Sequence, residues 1–166
     1  MDTTTLITQR EYDRTVFEHD AEYVEGRIVH RAMPTPPHSA LQAFLVYILY
    51  VVARPLGFEV LPELRIRTRA DRTRIPDVCL THGMPSGVPD KPPFLCIEIL
   101  SPEDSIVELR TKIAEYLAMG VEFVWVTDPE DFTGEIHARN GIERVTNGLF
   151  RAGTVEVDVR EMSKRR

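Results

Sequence analysis

Two acidic residues stand out because each interrupts an apolar run that is typical of a buried strand. Asp77 lies in residues 75–80, and Glu98 lies in residues 94–100. A buried carboxylate costs free energy unless a positive group neutralises it. Two carboxylates on adjacent core strands would also repel each other, and a divalent cation with oxygen ligands relieves both costs. The pair therefore predicts a metal site.

The alternative for Asp77 and Glu98 is a purely structural role in the core. Each acid would then pair with an arginine, for example Arg74 or Arg65. A single buried acid would favour this alternative, because buried charges are usually paired. Two acids in neighbouring strands favour the metal.

Further polar residues near these strands could take part in chemistry. Lys112 follows Glu98 on a predicted helix and could orient water or stabilise charge on a phosphate. Its alternative is a surface pair with Glu108, four residues earlier on the same helix face. Glu22 or Glu25 could complete a metal shell, or could be a solvated surface charge.

Basic residues are the candidates for contacts with phosphate. The concentrated patch consists of Arg65, Arg67, Arg69, Arg72 and Arg74. Within it we single out Arg65, Arg67 and Arg74, and we add His38, which begins a long predicted helix. The net charge of −6 argues against a DNA interface with many phosphate contacts, so any basic contact must be local. The basic tail at residues 164–166 is expected to be a frayed end.

The periodicity of apolar residues predicts alternating strands and helices. We predict helices over residues 8–20, 38–54 and 101–119, and strands over residues 23–31, 59–69, 75–80, 94–100, 121–127, 135–138, 143–146 and 155–159. The strand over residues 23–31 is expected to be entered through a turn at Glu25-Gly26. Thr8 with Glu11 is a capping box, and Ser101 followed by Pro102 suits a helix start. Residues 94–127 should form a right-handed crossover between parallel strands. Hairpin turns are expected at the two Asn-Gly pairs, residues 140–141 and 147–148.

The overall composition is that of one soluble α/β domain over residues 1–166. The N-terminus has no basic region followed by an apolar stretch, so no signal peptide is predicted. The most apolar helix-length segment, residues 40–53, is too short to span a bilayer. Cys79 and Cys96 occur in strand-like runs, where cysteine is usually a small buried hydrophobe. We therefore expect a cytoplasmic protein with no membrane partner.

An ordered series of motifs resembles the Uma-two family of restriction-endonuclease-like proteins. The series consists of Ile-Pro-Asp-Val at residues 75–78, Pro-Pro-Phe-Leu-Cys-Ile-Glu-Ile-Leu-Ser-Pro at 92–102, Lys112, Tyr116, Gly-Val at 120–121 and Trp-Val-Thr-Asp-Pro at 125–129. Glu-Tyr-Val-Glu-Gly at 22–26 and residues 34–38 also fit the opening of that pattern. The family looks like a branch of the PD-(D/E)xK nuclease superfamily. The resemblance covers residues 22–129.

The resemblance implies a restriction-endonuclease-like core, with a mixed central β-sheet flanked by helices and C-terminal β-hairpins. It implies that Asp77, Glu98 and Glu22 bind Mg²⁺ or Mn²⁺, together with the backbone carbonyl of Ile99. The superfamily's lysine two residues after Glu98 is leucine here, and Lys112 matches the lysine that replaces it in this family. Asp77, Glu98 and Lys112 would then be catalytic.

The function expected from these residues is hydrolysis of DNA phosphodiester bonds by a Mg²⁺-dependent endonuclease. A homodimer would let one metal site per chain cut both strands. The alternative is a non-catalytic module that binds nucleic acid or protein on a nuclease-like scaffold, because fold alone does not fix function.

Overall fold

The computed structural model describes residues 6–165, without the side chain of Arg165. Residues 1–5, which belong to the segment for which no signal peptide is predicted, and Arg166 of the basic tail lie outside the described residues. Within residues 6–165, no helix is long and apolar enough to cross a membrane.

Three α-helices and twelve strands make up the described part of the chain. The helices are α1 (Gln9–Arg14), α2 (Pro36–Val52) and α3 (Ile106–Met119). The strands are β1 (Ala21–Val24), β2 (Arg27–His30), β3 (Phe58–Pro62), β4 (Ile66–Arg69), β5 (Arg72–Arg74), β6 (Val78–His82), β7 (Leu95–Ile99), β8 (Phe123–Thr127), β9 (Gly134–Ala138), β10 (Gly141–Val145), β11 (Leu149–Ala152) and β12 (Val155–Asp158). Short 3₁₀ helices cover Arg54–Leu56 and Val159–Arg165.

The main sheet has six strands in the order β10-β9-β8-β7-β6-β3. Strands β7 and β8 are parallel and α3 connects them, as the sequence predicts, whereas the other neighbours are antiparallel. A small antiparallel sheet has the order β2-β1-β5-β4, and β11 pairs with β12 in a separate hairpin. The predicted α/β class with a mixed central sheet and C-terminal hairpins is confirmed.

Two apolar clusters cover the two faces of the main sheet. On one face, side chains of α2 and of the β11–β12 hairpin pack against residues such as Leu80, Ile97 and Trp125. On the other face, Ile113 and Tyr116 of α3 pack with residues of β6, β7 and β8. Strand β7 is buried throughout, which explains its nearly continuous apolar sequence.

The strand register brings the two buried acids together. Cys79 of β6 is paired with Cys96 of β7 in the antiparallel register. Two residues further along the same register, Asp77 lies opposite Glu98. Side chains alternate along a strand, so both acids share the sheet face of the two cysteines, which α3 covers.

One boundary of α1 and one of α3 differ from the prediction. The capping box of Thr8 and Glu11 is present, but α1 ends at Arg14 rather than near residue 20. Helix α3 begins after Ser105, whose side chain accepts from the N–H of Glu108, so the predicted start at Ser101 is wrong. Residue 101 instead closes a turn in which its N–H donates to Asp104 Oδ2 at 2.7 Å.

One predicted turn is confirmed, and one predicted strand is divided in the structure. The predicted turn at Glu25-Gly26 connects β1 and β2, and both residues have positive φ. Residues 59–69 are split between β3 in the main sheet and β4 in the small sheet, with Glu63 at φ 52° between them. In the small sheet β1 pairs with β5, which precedes Asp77 in the chain, and Glu22 of β1 lies in the region of the core acids.

Only one of the two Asn-Gly pairs forms a hairpin. The β9–β10 hairpin turns at residues 139–140, immediately before Gly141. Residues 147–148 instead connect β10 to β11, which belong to different sheets, so the second hairpin prediction is wrong. The β11–β12 turn lies at residues 153–154.

Candidate metal and nuclease site

Asp77 is a buried acid whose two carboxylate oxygens have different partners. Oδ2 accepts a hydrogen bond from the backbone N–H of Ile99 at 2.7 Å, and His38 Nε2 lies 3.3 Å from the same atom. Oδ1 accepts from the guanidinium of Arg31. Burial alone would raise the pKa of Asp77, but His38, Arg31 and the Ile99 N–H together hold it below its usual value.

Glu98 is also buried and has weaker compensation. Its Oε1 accepts from the hydroxyl of Tyr116 at 2.6 Å, and Lys112 Nζ lies 3.8 Å from Oε2. Burial raises the pKa of Glu98 to about 7, with the Asp77 carboxylate adding to the increase and Lys112 opposing it. A further positive charge near Oε2 would stabilise the carboxylate form.

Glu22 enters the same region from β1 of the small sheet. It receives Arg74 Nη1 at 2.6 Å and Lys112 Nζ at 3.0 Å, and the N–H of Ile75 donates to it at 3.3 Å. Burial would raise the pKa of Glu22, but the two cations lower it overall. Lys112 therefore lies between Glu22 and Glu98 and forms ion pairs with these two acids, not the predicted surface pair with Glu108.

These side chains line one cleft, which we call the central cleft. It has a volume of about 270 Å³. Its floor is formed by Glu22, Arg31, His38, Asp77, Glu98, Ile99 and Lys112. Its rim carries Glu63, Glu103, Asp104 and Glu108. The structure thus brings together the predicted acids, Lys112, His38 and Ile99, while Glu25 lies outside the lining and pairs with Arg72.

The donor chemistry of the central cleft suits a hard divalent cation. Carboxylates of Glu22, Asp77 and Glu98 and a backbone carbonyl at Ile99 are the oxygen ligands that Mg²⁺ and Mn²⁺ prefer. Among the described residues, however, no three His, Cys, Asp or Glu side chains are close enough to hold an ion together. Internal cations separate the acids, so coordination requires the carboxylates to exchange these partners.

The structural alternative requires an arginine partner for each buried acid, and among the described residues this holds for Asp77 but not for Glu98. Asp77 has an arginine partner, as that alternative requires, but the arginine is Arg31 rather than Arg74 or Arg65. Glu98 is compensated by a lysine and a tyrosine in the described residues.

The predicted phosphate-binding arginines are engaged elsewhere. Arg74 is 3% exposed and is bound to Glu22 and Glu115. Arg67 pairs with Asp13 at 2.5 Å. The guanidinium of Arg65 lies over the ring of Tyr12, 5.1 Å from its centroid. None of the three is among the described residues that line the central cleft.

Three residues with clear roles were not singled out by reasoning from the residue pattern. Arg31 is the last residue of the strand predicted over residues 23–31, and nothing local distinguishes it from a surface arginine. Tyr116 lies four residues after Lys112, and this spacing places both on one helix face. Glu115 is a buried acid within α3, and its cost of burial was the signal that could have identified it.

The fold and the central cleft define a restriction-endonuclease-like α/β protein, with acids on adjacent strands and a lysine on the following helix. The chain belongs to the Uma-two (Uma2) family, described as "Putative restriction endonuclease", whose model matches residues 11–158. A search of curated proteins gave no match.

One solved structure supports the same assignment. A crystal structure from Anabaena variabilis, described as a "putative nuclease belonging to DUF820", is 25% identical with a TM-score of 0.80. The match covers 95% of this chain and 98% of that chain. A cryo-EM structure of a DrdV–DNA complex is 18% identical with a TM-score of 0.45, and covers 67% of this chain but 10% of that one. This second likeness is too low to support an inference.

Proposed function

We propose that this protein is a divalent-metal-dependent endonuclease that hydrolyses phosphodiester bonds in DNA. The observation that carries the proposal is that Glu22, Asp77, Glu98 and Lys112 meet in one cleft of a chain whose family is described as "Putative restriction endonuclease". The similar nuclease structure from Anabaena variabilis supports the same class of reaction.

The residues of the central cleft divide the work of hydrolysis. Asp77, Glu98 and Glu22, with the carbonyl of Ile99, would hold Mg²⁺ or Mn²⁺. The ion supplies activation of water and offsets charge on the phosphate. Lys112 donates hydrogen bonds to the attacking water or to a phosphate oxygen from its position between two acids.

Other residues orient the acids or contact the substrate. His38 keeps Asp77 Oδ2 in place, and its Nδ1 is buried without a hydrogen-bond partner among the described residues. We leave Arg65, Arg67 and Arg74 out of the phosphate site because each is already paired with an acid of the chain.

With one site per chain, double-strand cleavage favours a homodimer, and we expect the reaction to take place in the cytoplasm.

The test is cleavage of supercoiled plasmid by the wild type and by Asp77→Asn and Glu98→Gln. We expect cleavage that needs Mg²⁺ or Mn²⁺, stops with EDTA and falls at least about a hundredfold in both variants, equivalent to a loss of about 2.7 kcal/mol. Glu143→Gln on β10 is the matched control, because its side chain is exposed. Cleavage that survives in both site variants would refute the proposal.

A specific observation favours a non-catalytic binding module as the second candidate. Asp77, Glu98 and Glu22 all have cationic partners within the chain, so the described structure is neutralised without a metal. Calorimetry with Mn²⁺ separates the two candidates. The nuclease should bind Mn²⁺ in a manner that Asp77→Asn abolishes, whereas a binding module should show no such binding.

A further inference from the structure

The two oxygens of Asp77 are not equally available to a cation. Oδ2 already receives the N–H of Ile99 at 2.7 Å and lies 3.3 Å from His38 Nε2. A carboxylate oxygen accepts about two hydrogen bonds, so Oδ2 is saturated. A cation approaching Asp77 must therefore use Oδ1.

Arg31 occupies that remaining oxygen. Its Nη2 donates to Asp77 Oδ1, and a guanidinium in a protein keeps its positive charge. Oδ1 keeps a second lone pair, but a guanidinium and a divalent ion bound to the same oxygen would be close enough to repel each other strongly.

We propose that Arg31 competes with the catalytic metal ion for Asp77. Its guanidinium holds Oδ1 and has to move away when the ion binds. The inference rests on the proposed function, because it concerns the same metal site. It assigns to Arg31 a role in setting metal affinity, separate from that of the ligands.

The structure provides a second acid that can receive the displaced guanidinium. Arg31 Nη1 lies 3.7 Å from Glu63 Oε1 at the rim of the central cleft. The side chain of Glu63 is 46% exposed and that of Arg31 is 19% exposed, so both have room to move. Gln42 Nε2 donates to the backbone carbonyl of Asp77 at 3.0 Å and to Glu63 Oε1 at 3.4 Å, which keeps Glu63 beside the site.

The experiment is calorimetric titration with Mn²⁺ of the wild type, Arg31→Met, Arg31→Lys and Glu63→Gln. We expect Arg31→Met to bind Mn²⁺ at least about tenfold more tightly, because the ion no longer displaces a charge-assisted hydrogen bond. Arg31→Lys keeps the positive charge but loses the planar guanidinium. A gain of about threefold in the Mn²⁺ affinity of this variant indicates direct competition for Asp77 rather than a change in the electrostatic field of the whole cleft. Glu63→Gln should bind Mn²⁺ more weakly than the wild type, because the displaced guanidinium of Arg31 loses the acid that receives it.

Controls separate the competition from changes in folding. Arg151→Met removes a cation from an exposed pair with Glu156 and should leave Mn²⁺ affinity unchanged. Thermal melts show whether each variant folds. If Arg31→Met does not fold, Arg31→Lys and a Mn²⁺-soaked crystal of the wild type, in which Arg31 should have left Asp77, decide the matter.

The possible failures have different signatures. If the wild type binds Mn²⁺ through Asp77 but neither Arg31 variant binds more tightly, the competition is overturned and the proposed function stands. If no form binds Mn²⁺ in an Asp77-dependent manner, the proposed function fails, and the inference fails with it.

Discussion

Glu115 provides a direct test of how the small sheet is attached to α3. This buried carboxylate accepts from Arg72 Nη1, from Arg74 Nε at 2.7 Å and from Arg74 Nη2 at 3.2 Å. Both arginines belong to β5, so the acid joins a strand of the small sheet to the helix of the main sheet. The change Glu115→Gln keeps the shape of the side chain and removes its charge.

The expected cost follows from what the substitution leaves behind. The introduced amide would keep one acceptor oxygen, while its NH₂ group would face guanidinium donors. Arg74 would retain Glu22, and Arg72 would retain the more exposed Glu25. Removing one partner from a buried ion pair costs about 3–5 kcal/mol. For a chain of this size the melting temperature should fall by roughly 6–20 °C.

The assay is urea unfolding together with a thermal melt, and the control is Glu156→Gln. Glu156 also pairs with an arginine, but both side chains of that pair are 54% exposed, so the control should melt like the wild type. If Glu115→Gln melts within about 1 °C of the wild type, the buried network does not stabilise the fold and the reasoning is wrong.

Two hydroxyl groups give further predictions. Tyr116→Phe removes the donor to Glu98 Oε1 and should cost about 1.5–3 kcal/mol in urea unfolding, whereas exposed Tyr50→Phe should cost nothing measurable; equal stabilities would contradict a role for the Tyr116 hydroxyl. Tyr12 donates to the carbonyl of Ala21, and burial raises its pKa from 10.0 to about 12. The folded state therefore holds this proton more tightly than the unfolded chain, so the stabilisation is complete below pH 10 and is lost as the pH rises towards 12. The stability advantage of the wild type over Tyr12→Phe should shrink between about pH 10 and about pH 12, and a constant difference would contradict the argument.

The core acids could be predicted from the sequence because their cost is local. Asp77 and Glu98 each interrupt an apolar strand, and a buried carboxylate at either position requires a positive partner. Glu22 and Lys112 are different, because their side chains are ordinary where they stand in the sequence. Their relation to the site came from resemblance to the family. Arg31 had neither signal.

The break in the strand predicted over residues 59–69 was missed because the residue at the break is atypical of a turn. Glu63 has a φ of 52°, a left-handed conformation that glycine and asparagine adopt far more readily than glutamate. Reading along the sequence, continuous alternation was therefore the simpler interpretation. At Glu25, by contrast, the following Gly26 indicated the turn. The reverse error occurred at residues 147–148, where turn chemistry correctly marks a change of direction but cannot specify which strands pair.

The charges around the central cleft separate into a structural half and an exchangeable half. Four buried acids pair with four cations, and the formal charges of these eight groups sum to zero: Glu22, Asp77, Glu98 and Glu115 against Arg31, Arg72, Arg74 and Lys112. The exposed acids on the rim of the cleft are outside this set. Arg72 and Arg74 are 8% and 3% exposed, whereas Arg31 and Lys112 are 19% and 15% exposed and line the cleft.

Under the proposed function, this division would let one cluster both hold the fold and admit a metal. Glu115 and its two arginines are outside the lining of the cleft, so these pairs attach the small sheet to α3 without facing an incoming ion. Arg31 can leave Asp77 for Glu63 at the rim, where solvent lowers the cost of moving a charge. Buried acids alone therefore do not argue for a metal. The argument comes from acids whose cationic partners are exposed enough to be exchanged.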